Sequence, residues 1–419
     1  MPQRLSLEFV PRILRIINRL NLGGPTFNVA LLTKHMPAEY ETKLLAGEKQ
    51  KSEESSDFIV HDLGLTYELI PGMKRSINPF QDLFTYIRLR KIIKEFKPDI
   101  VHTHAAKAGT LGRLAAIHSK VPVIVHTFHG HVFHSYFSKW KTKIFILIER
   151  YLAKRSSGIV AISDKQKFEL STTYRILKAS HVRVIPLGFD LSRFQEHVQE
   201  KRNAFRKKYF LEDDEIAIGI IGRLVAIKNQ SFFLRSAAIL ASRTNKKIRF
   251  FLIGDGDDRD LLINLCKELQ LDSTYFPLEP KRAVITFCSW IHEIDIAISG
   301  LDIVSLTSLN EGTPVSLIEA QAGNKPIVST RVGGIENIVL ADETAFLVNN
   351  FDLEEFSKSL LRLVDDDDVR SKMSTKGWEL VKERFHYTRL VSDTDKYYKE
   401  LLMSKARKSR SRHILETKS

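Results

Sequence analysis

Short apolar runs recur along the chain, each closed by glycine, proline or a polar cluster and most followed by a longer stretch with helical periodicity. Ile13–Asn18 leads into Leu22-Gly23-Gly24-Pro25, and a helical pattern follows over Phe27–His35. Further strands are predicted at Tyr40–Ala46, Phe58–Val60 and Glu68–Ile70, then a long helix over Pro79–Phe96 that leads into Pro98-Asp99-Ile100-Val101-His102. Val121–Thr127 reads as a fully buried strand, followed by a helix around Lys141–Arg155 and strands at Ser157–Ser163 and His181–Pro186. Strands alternating with helices predict a parallel sheet covered on both faces. The pattern then restarts, with strands at Ile216–Ile221, Arg249–Ile253, Ala283–Cys288, Asp302–Thr307 and Pro326–Ser329. Two α/β halves result, with a linker near Pro186–Arg202. The expected division is residues 1–188, residues 189–385, a C-terminal helix over 386–403 and a basic tail over 404–419. Tyr397, Tyr398, Leu401 and Leu402 give that helix an apolar face, which leaves open a return to the first domain.

The length of 419 residues suits two domains of common size. No stretch approaches the ~20 apolar residues that span a bilayer. Arg4, Arg12, Arg15 and Arg19 break the N-terminal segment, so no secretory signal is read and a cytoplasmic location is expected. Cys266 and Cys288 are too few for a disulfide framework or a zinc cluster. The net charge of +14 suits acidic partners. Its densest run, Lys405, Arg407, Lys408, Arg410 and Arg412, is either a solvated end or an attraction to acidic headgroups. No helix-turn-helix, zinc or base-stacking signature accompanies the charge, so nucleic acid is not an expected partner.

Four motifs carry chemistry. Gly23-Gly24 lets the backbone approach a phosphate at a helix start, although a plain tight turn would use the same glycines. Gly222-Arg223 with Lys228 sets two cations beyond the carboxyl end of a buried strand, where a diphosphate would sit. In Asn310-Glu311-Gly312-Thr313-Pro314-Val315-Ser316-Leu317-Ile318-Glu319, Thr313 reads as helix N-cap and Pro314 as first helical residue. Glu311 then stands at the helix mouth, and Glu319 lies about two turns inside, in an apolar stretch where it needs hydroxyl or cation partners. The amides of Gly312 to Val315 are placed to meet a phosphate. His126, His129, His131 and His134 cluster after a buried strand, but no Asp, Glu or Cys joins them at ligand spacing. His129, beside Gly130, is the one placed to bind a substrate hydroxyl.

Glu311 and Glu319, with seven residues between them that include Gly312-Thr313-Pro314, resemble the signature of retaining glycosyltransferases of family 4. Gly23-Gly24-Pro25, Pro98 to His104, His126 to His131, Gly222-Arg223-Leu224 with Ile227-Lys228, and Val332-Gly333-Gly334 fall in the family's order, from about Arg12 to about Leu402. The resemblance implies a GT-B fold, α/β, with two Rossmann-like domains facing each other across a donor-binding cleft. It implies that Arg223 and Lys228 bind the donor diphosphate, that Glu319 holds the ribose and that Glu311 contacts the donor sugar. Gly312, Thr313, Pro314 and Val315 would line the phosphate and sugar, and His129 would touch the sugar near the reacting carbon. Gly23-Gly24 would close over the donor, and Ser289-Trp290 would lie near the base. The resemblance also implies no metal, although Asp255-Gly256-Asp257, Asp258-Arg259-Asp260 and Asp393-Thr394-Asp395 match the loose DxD spacing of metal-using transferases. Asn324 stands where the family has glycine before Lys-Pro, and Asn tolerates the left-handed turn.

The subgroup with this histidine-rich segment is similar to bacterial enzymes that build surface polysaccharides, lipopolysaccharide among them, on lipid carriers. A nucleotide-sugar donor is implied, UDP-linked hexose or N-acetylhexosamine first and GDP-linked sugars second, with a glycan or polyprenyl-linked acceptor. Ser138 to Lys143, Arg150, Lys154 and Arg155 add basic and aromatic character, which suggests peripheral attachment to an anionic membrane. Two rival readings stand beside this one: a nucleotide-sugar epimerase or hydrolase of the same fold, and a non-catalytic nucleotide-binding protein.

Overall fold

The computed structural model describes residues 10–416 apart from residues 22, 49–55, 75, 77 and 130–138, with side chains left out at residues 139, 141 and 408–416. Gly130, His131, His134 and Ser138 of the sequence motifs therefore lie outside the described residues. The chain divides into two compact units, Met1–Phe189 with Phe385–Ser419, and Asp190–Arg384.

Unit 1 is built on seven strands: β1 (Arg12–Ile17), β2 (Glu41–Gly47), β3 (Glu68–Ile70), β4 (Ile100–His104), β5 (Val123–Phe128), β6 (Gly158–Ala161) and β7 (Val182–Val184). They form one sheet in the order β3-β2-β1-β4-β5-β6-β7, parallel throughout. Unit 2 repeats the plan with β8 (Ile216–Ile221), β9 (Ile248–Ile253), β10 (Ser273–Tyr275), β11 (Ile285–Ser289), β12 (Ile303–Leu306), β13 (Ile327–Thr330) and β14 (Ala345–Val348), ordered β10-β11-β9-β8-β12-β13-β14. In both sheets the winding direction reverses beside the first strand, between β1 and β4 and between β8 and β12. Outside the carboxyl ends of such strand pairs, open α/β sheets bind ligands.

Apolar side chains on both faces of each strand make these sheets interior layers. Leu14, Ile16, Val101 and Ile124 pack on one side against Leu89 and Ile93 of the helix Pro79–Phe96. Ile13, Ile100, Val123 and Val125 pack on the other against Leu390, Tyr397 and Tyr398 of the C-terminal helix Tyr387–Glu416. In unit 2, Ile218, Ile220, Phe250, Leu252 and Phe287 meet Phe233, Phe356 and Leu360 from the flanking helices. A buried two-pronged ion pair, Arg113 to both oxygens of Glu149 at 2.8 and 2.7 Å, ties the helix Lys139–Arg155 to the helix Ala106–His118.

Several sequence expectations change. Phe58–Val60 is not a strand but the middle of a short helix, Asp57–Asp62, which Gly64 (φ +67°) helps to end. The edge strands β10 and β14 join the sheet although the sequence pattern predicts no strand there. Pro314, not Thr313, caps the helix Val315–Ala322, because its ψ of 112° is extended. Glu319 is therefore the fifth residue of that helix, little more than one turn in. The basic tail does not leave the C-terminal helix, which continues to Glu416. Asn324 takes the left-handed turn expected of it, with φ +53°.

Candidate functional site

In unit 2 the loops after β8 and β12 are fastened to one another. Thr307 Oγ1 donates to the carbonyls of Lys228 and Asn229 at 3.0 Å each, and the Leu309 N–H donates to the Ile227 carbonyl at 2.8 Å. Lys228 ends a 3₁₀ turn, Ala226–Lys228, and Asn229 follows at φ +50°. The Lys228 ammonium pairs with the Glu311 carboxylate, whose Oε1 also accepts from Ser308 Oγ at 2.6 Å. The loop bearing Glu311 lies directly on Gly333-Gly334. A Cβ at Gly333 (φ +60°) would stand 1.8 Å from the Glu311 carbonyl oxygen, and one at Gly334 2.0 Å from that of Gly312. Side chains there would force the loop away, so glycine is required by contact as well as by φ. Gly312 has nothing within 4 Å of the place its Cβ would take.

Glu319 is 8% exposed and makes no side-chain hydrogen bond or ion pair among the described residues. Burial lifts its carboxyl to about 7; Arg193 opposes that shift and Asp295 adds to it. A buried carboxylate with its lone pairs unused costs free energy until donors arrive. Arg223 is exposed and likewise in no ion pair among the described residues, while its carbonyl accepts from Gln230 Nε2 at 2.7 Å. Thr313, Pro314 and Val315 lead from Gly312 into the helix of Glu319, whose first amides no side chain caps. Trp290 stands beside Gly254, 3.5 Å from where a Cβ would be, after Ser289 at φ +58°.

The acids of the DxD matches are largely engaged by the protein. Asp255 meets Arg259 at 3.0 Å and Tyr275 Oη at 3.3 Å, and Asp260 meets Arg259 at 3.3 Å. Asp393 pairs with Arg389 at 3.2 Å, and Asp395 with Lys399 at 3.0 Å.

In unit 1, Gly23 (φ +145°) opens the helix Gly24–His35, and its carbonyl accepts from the Thr26 amide at 3.2 Å. His102 and His104, two residues apart on β4, share one sheet face, as strand alternation requires. His102 Nδ1 bonds Tyr398 Oη at 2.6 Å and its Nε2 bonds Thr127 Oγ1 at 2.7 Å. His104 Nδ1 bonds His129 Nε2 at 2.9 Å. Burial drives the imidazoles of His102 and His104 well down and brings His129 to about 3, so all three are neutral at physiological pH. His129 Nδ1 and His104 Nε2 are buried with no partner among the described residues. His126 packs on the opposite face, against Gly109 and Thr103, and is structural.

Residues 22–193 match the family model described as Glycosyltransferase Family 4, and residues 201–379 match Glycosyl transferases group 1. The chain is a family 4-type glycosyltransferase. The glycosyltransferase is 28% identical over 338 residues to UDP-Gal:alpha-D-GlcNAc-diphosphoundecaprenol alpha-1,3-galactosyltransferase of Escherichia coli, covering 80% of this chain and 84% of the relative. It is 24% identical over 331 residues to the capsular polysaccharide biosynthesis glycosyltransferase CapM of Staphylococcus aureus, covering 79% and 84%. Among solved structures it resembles Anabaena HepE in complex with UDP and glucose, at TM-score 0.76 and 17% identity over 93% of this chain and 100% of that one. Sucrose-phosphate synthase from Thermosynechococcus elongatus gives TM-score 0.75 at 17% identity over 94% and 100%. With the two parallel seven-stranded sheets, these likenesses establish the GT-B fold.

The structure brings Arg223, Lys228, Glu311, Gly312, Thr313, Pro314, Val315 and Glu319 of the glycosyltransferase to one end of one sheet, and Gly23, Gly24 and His129 to the corresponding end of the other. It also brings His104 beside His129, a pairing that the sequence pattern does not predict. Histidines at i and i+2 on a strand beside a glycine turn are the signal that marks His104.

Proposed function

We propose that the glycosyltransferase is a retaining enzyme that moves a sugar from a UDP-linked donor to a lipid-diphosphate-linked glycan in surface polysaccharide synthesis. The observation that carries this reading is Glu319: a buried carboxylate without a partner among the described residues, on the helix that follows the Lys228–Glu311 pair. A ribose diol supplies the two donors it lacks. Arg223 and Lys228 would hold the diphosphate, and the amides of Gly312 to Val315 would line phosphate and sugar. Glu311 and His129 would contact the donor sugar, and the Gly23-Gly24 turn the donor and acceptor. The name of the S. aureus relative supports the polysaccharide role, and that of the E. coli relative supports UDP and a diphosphate-linked acceptor.

In the step so described, the bond from sugar C1 to the diphosphate breaks while the acceptor oxygen bonds C1 on the same face. The acceptor proton passes to the departing diphosphate oxygen. Lys228 and Arg223 stabilise the charge that grows there, the kind of fixed electrostatic help that dominates many active sites. No metal is assigned a part, and transfer is expected to survive chelation. Attachment to the cytoplasmic face of the membrane belongs to the same reading: among the described residues no helix is long and apolar enough to cross a bilayer, so charge would do the work.

The test is a thermal-shift comparison of UDP, GDP and ADP with and without their sugars. UDP at a hundredfold excess over its Kd should add about 2.7 kcal/mol of stability, and Glu319→Ala should abolish the response. Sugar released or rearranged without acceptor would favour an epimerase or hydrolase instead, and silence toward every nucleotide a non-catalytic protein.

A further inference from the structure

A second basic site lies at the other end of the unit 1 sheet. His104 and His129 stand at the carboxyl ends of β4 and β5. A cavity of about 500 Å³ opens instead where β6 and β7 begin. That volume falls in the range of small-ligand sites, ~300–1,000 Å³, and cations stand among apolar residues such as Ile159, Ile176 and Leu177 in its lining. Lys154, Arg175, Lys178 and His181 line it together with Ser156 and Ser171. Among the described residues none of the three permanent cations is in an ion pair, and all are exposed. The wall is held in shape: Arg150 donates to the carbonyls of Arg175 and Tyr174 at 3.0 and 2.8 Å, and Arg175 sits in a left-handed conformation at φ +49°.

The helix Lys139–Arg155 delivers Lys154 to this cavity and carries a second unusual feature. Glu149 anchors its inner side through Arg113. Its outer side shows Trp140, Ile144, Leu147 and Tyr151 at 61%, 45%, 60% and 44% exposure. The spacing of four, three and four residues sets them in one line along the helix. A line of large apolar residues ending beside a nest of cations is the composition of a helix lying in a membrane interface.

We propose that this face of unit 1 rests on the membrane, with the apolar line in the headgroup boundary and the cavity of Lys154, Arg175 and Lys178 holding the phosphate of an anionic lipid. The site rests on the membrane part of the reading above and is separate from the donor site. Phosphate oxygens would replace water around the three cations.

The test uses the full chain with zwitterionic phosphatidylcholine vesicles and with vesicles doped with phosphatidylglycerol. Wild type should sediment with the doped vesicles alone and be released by salt. Lys154→Gln with Lys178→Gln should lower partition roughly thirtyfold, and Ile144→Ser with Leu147→Ser should lower it without changing the salt dependence. Unchanged melting temperature and unchanged transfer to a water-soluble acceptor show that these variants remain folded. Binding that survives both pairs but is lost when Lys405 and Arg407 are neutralised overturns the site while the membrane reading stands. A wild type that ignores both vesicles overturns both. Calorimetric binding of inorganic pyrophosphate that needs Lys154 and Lys178, with no vesicle binding, assigns the cavity to a soluble phosphate and overturns the lipid.

Discussion

The carboxyl ends of the two sheets repeat one geometry with opposite chemistry. Beyond β8 and β12 stand charges: the Lys228–Glu311 pair, Arg223 without a counter-ion and the Glu319 carboxylate. Beyond β4 and β5 stand imidazoles that burial keeps neutral, His104 and His129 joined at 2.9 Å. The two ends suit different ligands. A diphosphate is anionic when bound and gains charge as it leaves, so fixed cations serve it throughout, whereas a sugar hydroxyl is best met by a neutral group that needs no counter-ion in a dry site.

The sharpest way to break this contrast is Lys228→Ala. It leaves the leaving group uncompensated and strands Glu311, and turnover should fall by about 10²–10³-fold with a smaller change in KM. Steady-state kinetics decide it; full activity would remove the diphosphate role from the charged end.

Glu319→Gln should act in two directions. UDP affinity should drop by roughly ten- to a hundredfold, as two hydrogen bonds to a charged acceptor weaken. Stability without ligand should rise. The folded carboxyl titrates at about 7 and the unfolded one at 4.5. Between those values the unfolded state gives up its proton first, so the wild type loses stability as pH rises and then levels off above 7. The amide lacks that loss, up to about 3 kcal/mol. Urea melts should therefore separate the two proteins at about pH 8 and bring them together near about pH 4. Parallel curves would mean that Glu319 is not desolvated.

The smallest effect is expected at the neutral end. His129→Ala should cost about tenfold in kcat, and the ratio to wild type should stay flat from about pH 5.5 to about pH 8, because His129 does not titrate there. A ratio that follows a group near the ordinary imidazole value would make the two ends alike.

How far the sequence showed this depends on length and contrast. Ile216–Ile221 was legible to the residue, since six buried positions, five of them with apolar side chains, end at Gly222. Phe58, Ile59 and Val60 were not, because three apolar residues in a row satisfy a helix as well as a strand, and only tertiary packing decides. The edge strands β10 and β14 escaped because three or four residues with one covered side carry little pattern. At the candidate site, Glu311, Lys228 and Gly333 were readable as a spacing. The pairing of Lys228 with Glu311 was not, nor was the pairing of His104 with His129, since both join segments far apart in the chain. Thr313 has a capping side chain and so reads as the helix cap in the sequence. The extended backbone at Pro314 starts the helix one residue later.

The bond from His102 to Tyr398 joins residues 296 positions apart. Translation makes the whole of Asp190–Arg384 after β4 and before Tyr398. Unit 2 thus has every strand and helix it will use while unit 1 still lacks the helix that covers Ile13, Ile100 and Val125. The half of the protein begun first is the half finished last. During synthesis its open face is the one a chaperone would need to shield, and a chain cut short before Tyr398 would leave that face bare.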